Sequence, residues 1–295
     1  MNGVLVINKP QNWTSHDVVN KARGLLQEKK IGHTGTLDPL ATGVLVLCIG
    51  KATKIVRYLE ADDKEYIAEL KLGVTTDTLD STGSILETLE YSPPSQNELQ
   101  RALDRFRGDI LQRPPAYSAI KVSGVPSYRL ARQGTILEHE ERLVTISAIT
   151  LLEYRDPLVR FSVTCSKGTY IRTLCADIGA FLGAGAHLTA LVRTRSGRFR
   201  IEQAIDLEQL TEKASLGLAE QRLLSLSEAL GSFPAVTVDA ADALKISHGN
   251  TISIPPGFSV NDSRLLIQVL DRDGRMLAIA TTSAGLIRPE VVIAD

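Results

Sequence analysis

Cysteine is scarce in this chain of 295 residues, with only Cys48, Cys165 and Cys175 present. The three lie far apart inside apolar or strand-like runs, and none has a neighbour at metal-ligand spacing. That excludes a disulfide framework and a cysteine-based zinc site, and it predicts reduced core residues. Histidine offers no substitute, because His16, His33, His139, His187 and His248 are scattered along the sequence. No metal centre is expected. Long hydrophobic runs are lacking as well, none approaching the roughly 20 residues that span a bilayer. The start, Gly3-Val-Leu-Val-Ile-Asn-Lys-Pro, has neither a basic leader nor a cleavage site, so a cytoplasmic protein without membrane contact is expected. What the chain does have is 43% hydrophobic residues. With that length they suffice for one large domain, or a main domain with a small appended one.

An excess of either charge is also missing overall, the net being −1. The total conceals an uneven distribution. Residues 1–200 hold 26 Lys or Arg against 21 Asp or Glu, whereas residues 201–295 hold 7 against 13. An acidic tail thus masks a basic body. Within the body, Arg101, Arg105, Arg107, Arg113, Lys121, Arg129 and Arg132 face only Asp104 and Asp109 over residues 101–133. Residues 164–200 repeat the excess. A phosphate-binding surface and an ordinary solvated face both account for such counts.

Residues 3–7 read as a strand, followed by a helix capped at Thr14 or Ser15, with Val18, Val19, Ala22, Leu25 and Leu26 at helical spacing. After the polar loop 32–40, Gly43-Val-Leu-Val-Leu-Cys-Ile-Gly is a continuous apolar run bounded by glycines. Such a run suits a strand buried on both faces. Helices are predicted over 51–59, 95–106 and from about 170 to 182. Strands are predicted from Tyr66, over 143–154, 158–165 and 186–194. The mixed order lacks a β-α-β rhythm, which predicts an α/β (α+β) domain with a mixed, largely antiparallel sheet. From Ser232 onward the pattern changes to short β-runs at 235–238, 251–254, 265–270 and 276–281, with Asp273-Gly274 as a hairpin turn. Two parts are therefore expected, 1–230 and a small all-β appendage over 231–295.

The loop Gly32-His-Thr-Gly-Thr-Leu-Asp-Pro is the densest candidate for chemistry. It places two glycines, two threonines, His33 and Asp38 between ordered elements. A plain surface connection, with Asp38 accepting backbone hydrogen bonds before Pro39, accounts for it about as well. Phosphate cradling does not, because neither a Walker lysine nor a Rossmann glycine triplet is present. Asp77 and Asp80 read as loop structure, since a calcium loop needs a longer run of ligands.

Five strings occur together: Gly3-Val-Leu-Val-Ile-Asn-Lys-Pro-Gln-Asn-Trp-Thr-Ser, Gly32-His-Thr-Gly-Thr-Leu-Asp-Pro-Leu-Ala-Thr-Gly-Val-Leu, Thr76-Asp-Thr-Leu-Asp, Arg113-Pro-Pro-Ala-Tyr-Ser-Ala-Ile-Lys and Lys167-Gly-Thr-Tyr-Ile-Arg-Thr-Leu. In that order, over residues 3 to about 200, they resemble the TruB family of tRNA pseudouridine synthases. The resemblance implies isomerisation of uridine 55 in the T loop of tRNA, with no cofactor, by a monomer. It implies Asp38 as the catalytic aspartate, Arg172 as its partner and Tyr66 as a tyrosine stacking on the target base. His33 would sit beside the extruded nucleotide, and Tyr170 and Leu191 would line the uracil pocket. Lys54, Lys121 and Arg132 would contact the RNA, and Lys9 with Pro10 would brace the catalytic loop. The tail would be a PUA-like RNA-binding domain, although its acidic balance argues against extensive backbone contact.

The chemistry suits these residue types. Pseudouridine formation breaks the bond from C1′ to N1, turns the base and rejoins it through C5, so no redox equivalent, metal or phosphate donor is needed. A carboxylate can attack sugar or base, or remove a proton, and a neighbouring guanidinium favours its charged form. The residues leave these routes open. A base must leave its stack to react, at a cost of a few kcal/mol that aromatic stacking offsets. An RNA-binding or RNA-folding factor, and a guide-RNA-dependent relative, are the rival readings.

Overall fold

The computed structural model describes residues 1–258 and 265–293. The larger part is organised on one nine-stranded sheet. Its main strands are β1 (Gly3–Lys9), β2 (Thr42–Ile49), β3 (Lys64–Leu72), β4 (Gly108–Gln112), β5 (Arg142–Arg155), β6 (Leu158–Cys165) and β7 (Ala186–Ser196). They lie in the order β1-β2-β7-β3-β6-β5-β4, and β2 with β7 is the single parallel pair along that path. The mixed, largely antiparallel sheet predicted from the element order is therefore present.

Strand β2 explains its own apolar sequence. Leu45, Leu47 and Ile49 point to one layer, with Val18, Val19, Ala22 and Leu26 of helix α1 (Ser15–Leu26) and Leu210 of a later helix. Val44, Val46 and Cys48 point to the other, where Met276, Ile279 and Ile293 of the tail cover them. Both faces are dry, as the continuous run requires. Helix α1 starts at Thr14, whose Oγ1 accepts from Asp17 N at 3.1 Å while Asp17 Oδ2 accepts from Thr14 N at 2.9 Å. This capping box satisfies two backbone donors that the first turn would leave open.

The other half of the sheet alternates. Along β3, Tyr66, Ala68, Leu70 and Leu72 are buried and the residues between them are half-exposed. The buried face packs on Leu99 and Leu103 of α2 (Gln96–Arg105) and on Leu174 and Ile178 of α3 (Ile171–Phe181). Where β2 meets β7, a Cβ on Gly43 would stand 2.3 Å from the Arg193 carbonyl oxygen, and Gly43 has φ +100°. Only glycine permits that approach.

The tail forms its own five-stranded sheet, β8 (Ala235–Thr237), β9 (Ile252–Ser253), β10 (Leu266–Leu270), β11 (Met276–Ser283) and β12 (Leu286–Val292), in the order β8-β10-β11-β12-β9. One element, a helix, differs from the all-β expectation, and one strand lies beyond the predicted runs. Helix α4 (Ala240–Ser247) is capped by Asp239, whose side chain accepts from Asp242 N at 2.9 Å, and β12 follows the last predicted run. The tail is also less separate than its charge suggests, because Met276, Ile279 and Ile293 share one core with Val4, Val6 and Val44.

Candidate active site

Asp38 follows directly from the way its loop is fastened. Lys9, whose side chain is fully buried, donates from Nζ to the carbonyls of Trp13 at 2.6 Å and Pro10 at 2.9 Å, and more distantly to that of Pro39 at 3.5 Å. Burial lowers its pKa to about 8, with nearby Asp38 opposing the shift. Ser15 Oγ accepts from Leu37 N at 2.8 Å, and Asn12 N donates to Pro39 O at 2.8 Å. These contacts tie both neighbours of Asp38 to β1 and to the start of α1. The polar loop is thus a fixed bracket.

Arg172, in the first turn of α3, meets the carboxylate from below. Nε stands 2.9 Å from Oδ2, and Nη2 donates to Oδ1 at 3.4 Å. The side chain of Arg172 is 5% exposed and that of Asp38 39%. The Nε approach is close in distance but off the hydrogen-bond line, so charge rather than a two-pronged fork dominates that contact. The rest of the guanidinium is held by backbone: Nη1 donates to Thr78 O at 3.0 Å and Nη2 to Tyr117 O at 2.8 Å. Three segments distant in sequence therefore converge on one cation.

A cavity of about 580 Å³ opens beside this pair. Asp38, Tyr66, Tyr170, Leu191, Arg172 and Arg193 are among its lining residues. Tyr66 lies on β3, directly across from Arg193 on β7. Burial raises the pKa of its hydroxyl, and the Arg193 charge partly counters this. Tyr170 caps α3 and is clamped by buried Gln112, which accepts from Tyr170 N at 2.7 Å and donates to Tyr170 O at 3.1 Å. The Arg142 guanidinium lies 5.0 Å from the centre of the Tyr170 ring and donates to Gly168 O at 2.8 Å. The result is an aromatic and aliphatic slot with one half-exposed carboxylate at its side.

Of the residues anticipated from sequence, Asp38, Tyr66, Tyr170, Arg172 and Leu191 are brought together. Four others lie elsewhere. His33 sits in the short edge strand Ile31–His33 outside the cavity lining; its Nδ1 accepts from Gly35 N at 3.2 Å, and burial lowers its pKa. Lys54 donates to Val292 O of the tail at 2.9 Å. Lys121 is exposed in a two-stranded hairpin, and Arg132 ends the short helix Ser127–Arg132 with its guanidinium 5.8 Å from the Tyr128 ring.

Sequence reasoning missed Asp80. It is buried, its Oδ2 lies 3.8 Å from Arg172 Nε, and its Oδ1 accepts from Thr78 Oγ1, Thr82 N and Thr82 Oγ1. The signal was the crowd of hydroxyls around it, which a solvated loop acid does not need. Gln112 and Arg193 were missed because each acts across the sheet. Among the described residues, no three His, Cys, Asp or Glu side chains are grouped so as to hold a metal ion, and no helix is long and apolar enough to cross a membrane.

Comparison with known proteins agrees with this geometry. Residues 23–171 match the model of the TruB family pseudouridylate synthase N-terminal domain, and residues 172–230 match the tRNA pseudouridylate synthase B C-terminal domain. The chain is 43% identical over 295 residues to a tRNA pseudouridine synthase B of Burkholderia mallei (strain NCTC 10247), covering 99% of this chain and 97% of the relative. It is 39% identical over 305 residues to a tRNA pseudouridine synthase B of Bacillus cytotoxicus, covering 100% of this chain and 98% of the relative. Among solved structures, a chain of a Cbf5-Nop10-Gar1 complex superposes with a TM-score of 0.76 at 26% identity, covering 99% of this chain and 84% of that one. A carboxylate and guanidinium at an aromatic slot, on this sheet and with full-length relatives of one kind, lead to one statement: the chain belongs to the TruB family of pseudouridylate synthases.

Proposed function

We propose that this chain converts the uridine at position 55 in the T loop of tRNA to pseudouridine, with Asp38 as the reacting carboxylate. The observation that carries the reading is the half-exposed Asp38 carboxylate held by Arg172 at the side of a slot lined by Tyr66, Tyr170 and Leu191. A uracil extruded from its loop fits between such walls, and stacking on them offsets its lost neighbours.

The reaction balances without an added reagent. The bond from C1′ to N1 breaks, the base turns, C5 bonds to C1′, and the hydrogen on C5 leaves as a proton while N1 gains one. Attack of Asp38 on C1′, its attack on C6 and proton removal all start from the same placement of the carboxylate. Arg172 orients the group and supplies a positive charge beside it. Tyr66 and Tyr170 hold the base, with His33 at the border of the loop.

The T arm would be recognised by its folded shape and phosphates. Cationic side chains in the cavity lining, Arg142 and Lys167 among them, support this, and Lys121 and Arg132 add positive charge in the segment beyond Tyr117. The part from 231 to 295 acts as a PUA-like second RNA contact on the 1–230 catalytic part. The protein acts as a monomer, in the cytoplasm where tRNA is handled.

Incubating the protein with an unmodified tRNA transcript, then mapping pseudouridine by chemical labelling and primer extension, tests the reading. Product should arise at position 55, and Asp38→Asn should bind the transcript without converting it. Normal conversion by that variant, or an unconverted transcript with the wild type, would overturn the proposal.

A further inference from the structure

Arg193 is a guanidinium with only 2% of its surface exposed, yet among the described residues no carboxylate forms an ion pair with it; Glu65, the nearest acid in register, pairs with Arg195 instead. A buried cation without a counter-charge is unfavourable unless the fold has another use for it. Its hydrogen bonds go to backbone. Nε donates to Val44 O at 2.6 Å on β2 and Nη2 to Gly35 O at 3.1 Å in the Asp38 loop. The charge also reaches the Tyr66 hydroxyl across the sheet. Gly43 keeps the backbone of Arg193 in place, since any side chain there would collide with it.

The surroundings are cationic. Lys9, His33 and Lys64 each feel the Arg193 charge, and Lys64 Nζ, like Lys9 Nζ, is fastened to carbonyl oxygens. Asp38 and Glu60 are the acids in the cavity lining.

Resting on the isomerisation assigned above, we propose that Arg193 is a positioning residue for that reaction. It is bonded to the Gly35 carbonyl of the Asp38 loop and stands directly across the sheet from Tyr66, and it holds a positive charge in the lining of the slot. The stacking wall and the reacting carboxylate thereby keep their spacing, and negative charge developing on the hydroxyl or on a uracil oxygen beside it is stabilised. Tethering to two carbonyls fixes the direction of that charge before substrate arrives. Lysine supplies the charge without the fork.

The test uses the full-length protein and an unmodified tRNA transcript under single-turnover conditions at about pH 8. Arg193→Gln should slow conversion about 100-fold while tRNA Kd stays within about threefold, and Arg193→Lys should recover about tenfold of that loss. The comparison is repeated in a Tyr66→Phe background, which removes the hydroxyl alone. There Arg193→Gln should add less than about threefold.

A Gln variant within about threefold of wild type overturns the inference. So does a loss that multiplies in full with Tyr66→Phe, or one shared equally by Gln and Lys. Should the Gln variant fail to fold, the Lys variant decides alone, a loss that multiplies in full with Tyr66→Phe overturning the assignment. Wild-type protein that leaves the transcript unconverted refutes the isomerisation itself, a separate result.

Discussion

Arg172 Nε stands 2.9 Å from Asp38 Oδ2, although 134 residues separate the two in sequence. The same guanidinium joins Thr78 O and Tyr117 O, so the carboxylate is positioned by a group that is itself fixed on two further sides. Arg172→Lys keeps the charge and loses that geometry. Conversion of a tRNA transcript in single turnover should fall about 100-fold, with binding nearly unchanged. A lysine variant as fast as wild type would remove the geometric part of the argument.

Asp177, on α3, is half-buried near Glu141, and burial first, then that neighbouring charge, pushes its carboxyl up to about 6. The folded protein therefore binds this proton more tightly than the unfolded chain. Its contribution to stability is present in full below about pH 4 and is lost as pH rises through 6. Asp177→Asn should be more stable than wild type at about pH 8, by roughly 1 kcal/mol after allowing for the solvated part of the group. The gap should close by about pH 4. Urea midpoints at the two pH values measure it, and a variant weaker than wild type at the higher pH contradicts the assignment.

Ile279 belongs to the tail by sequence and to the catalytic sheet by packing, being fully buried with Val4, Val6 and Val44. Ile279→Ala should cost about 2–5 kcal/mol. The one tryptophan, Trp13, packs on the core beneath α1, so its fluorescence reports unfolding of the catalytic part. Its midpoint should shift together with the far-ultraviolet circular dichroism midpoint. A tail that melts alone, leaving the Trp13 transition in place, would show two independent units.

The sequence was most legible where local rules and burial agree. The run 43–50 reads as a strand buried on both faces because it is one, and Thr14 announces its helix by a capping box three residues long. The tail was harder. Helix α4 is short and sits among β-runs, and its signals, Asp239 before it and Gly249 after it, are also turn residues. The site was legible as far as family strings carried it. Asp80 reads as a loop acid until Arg172 is seen 3.8 Å away. Arg193 counts as one more surface cation until the sheet places it against Tyr66. Lys54 counts as an RNA contact, yet it reaches Val292 O. Pairings across the sheet or between parts leave no periodic trace in a single sequence.

The fastening of the Asp38 loop by Lys9, Asn12, Ser15 and Arg193 has a consequence for how work is divided between enzyme and RNA. A bracket pinned from four directions cannot travel toward its target. Under the proposed reaction the nucleotide therefore makes the journey, and the free energy of unstacking is drawn from contacts that the rest of the tRNA makes. Transcripts whose T loop is already opened by a neighbouring mismatch should then react fastest on this rigid carboxylate, because the enzyme has no slow rearrangement of its own left to limit them.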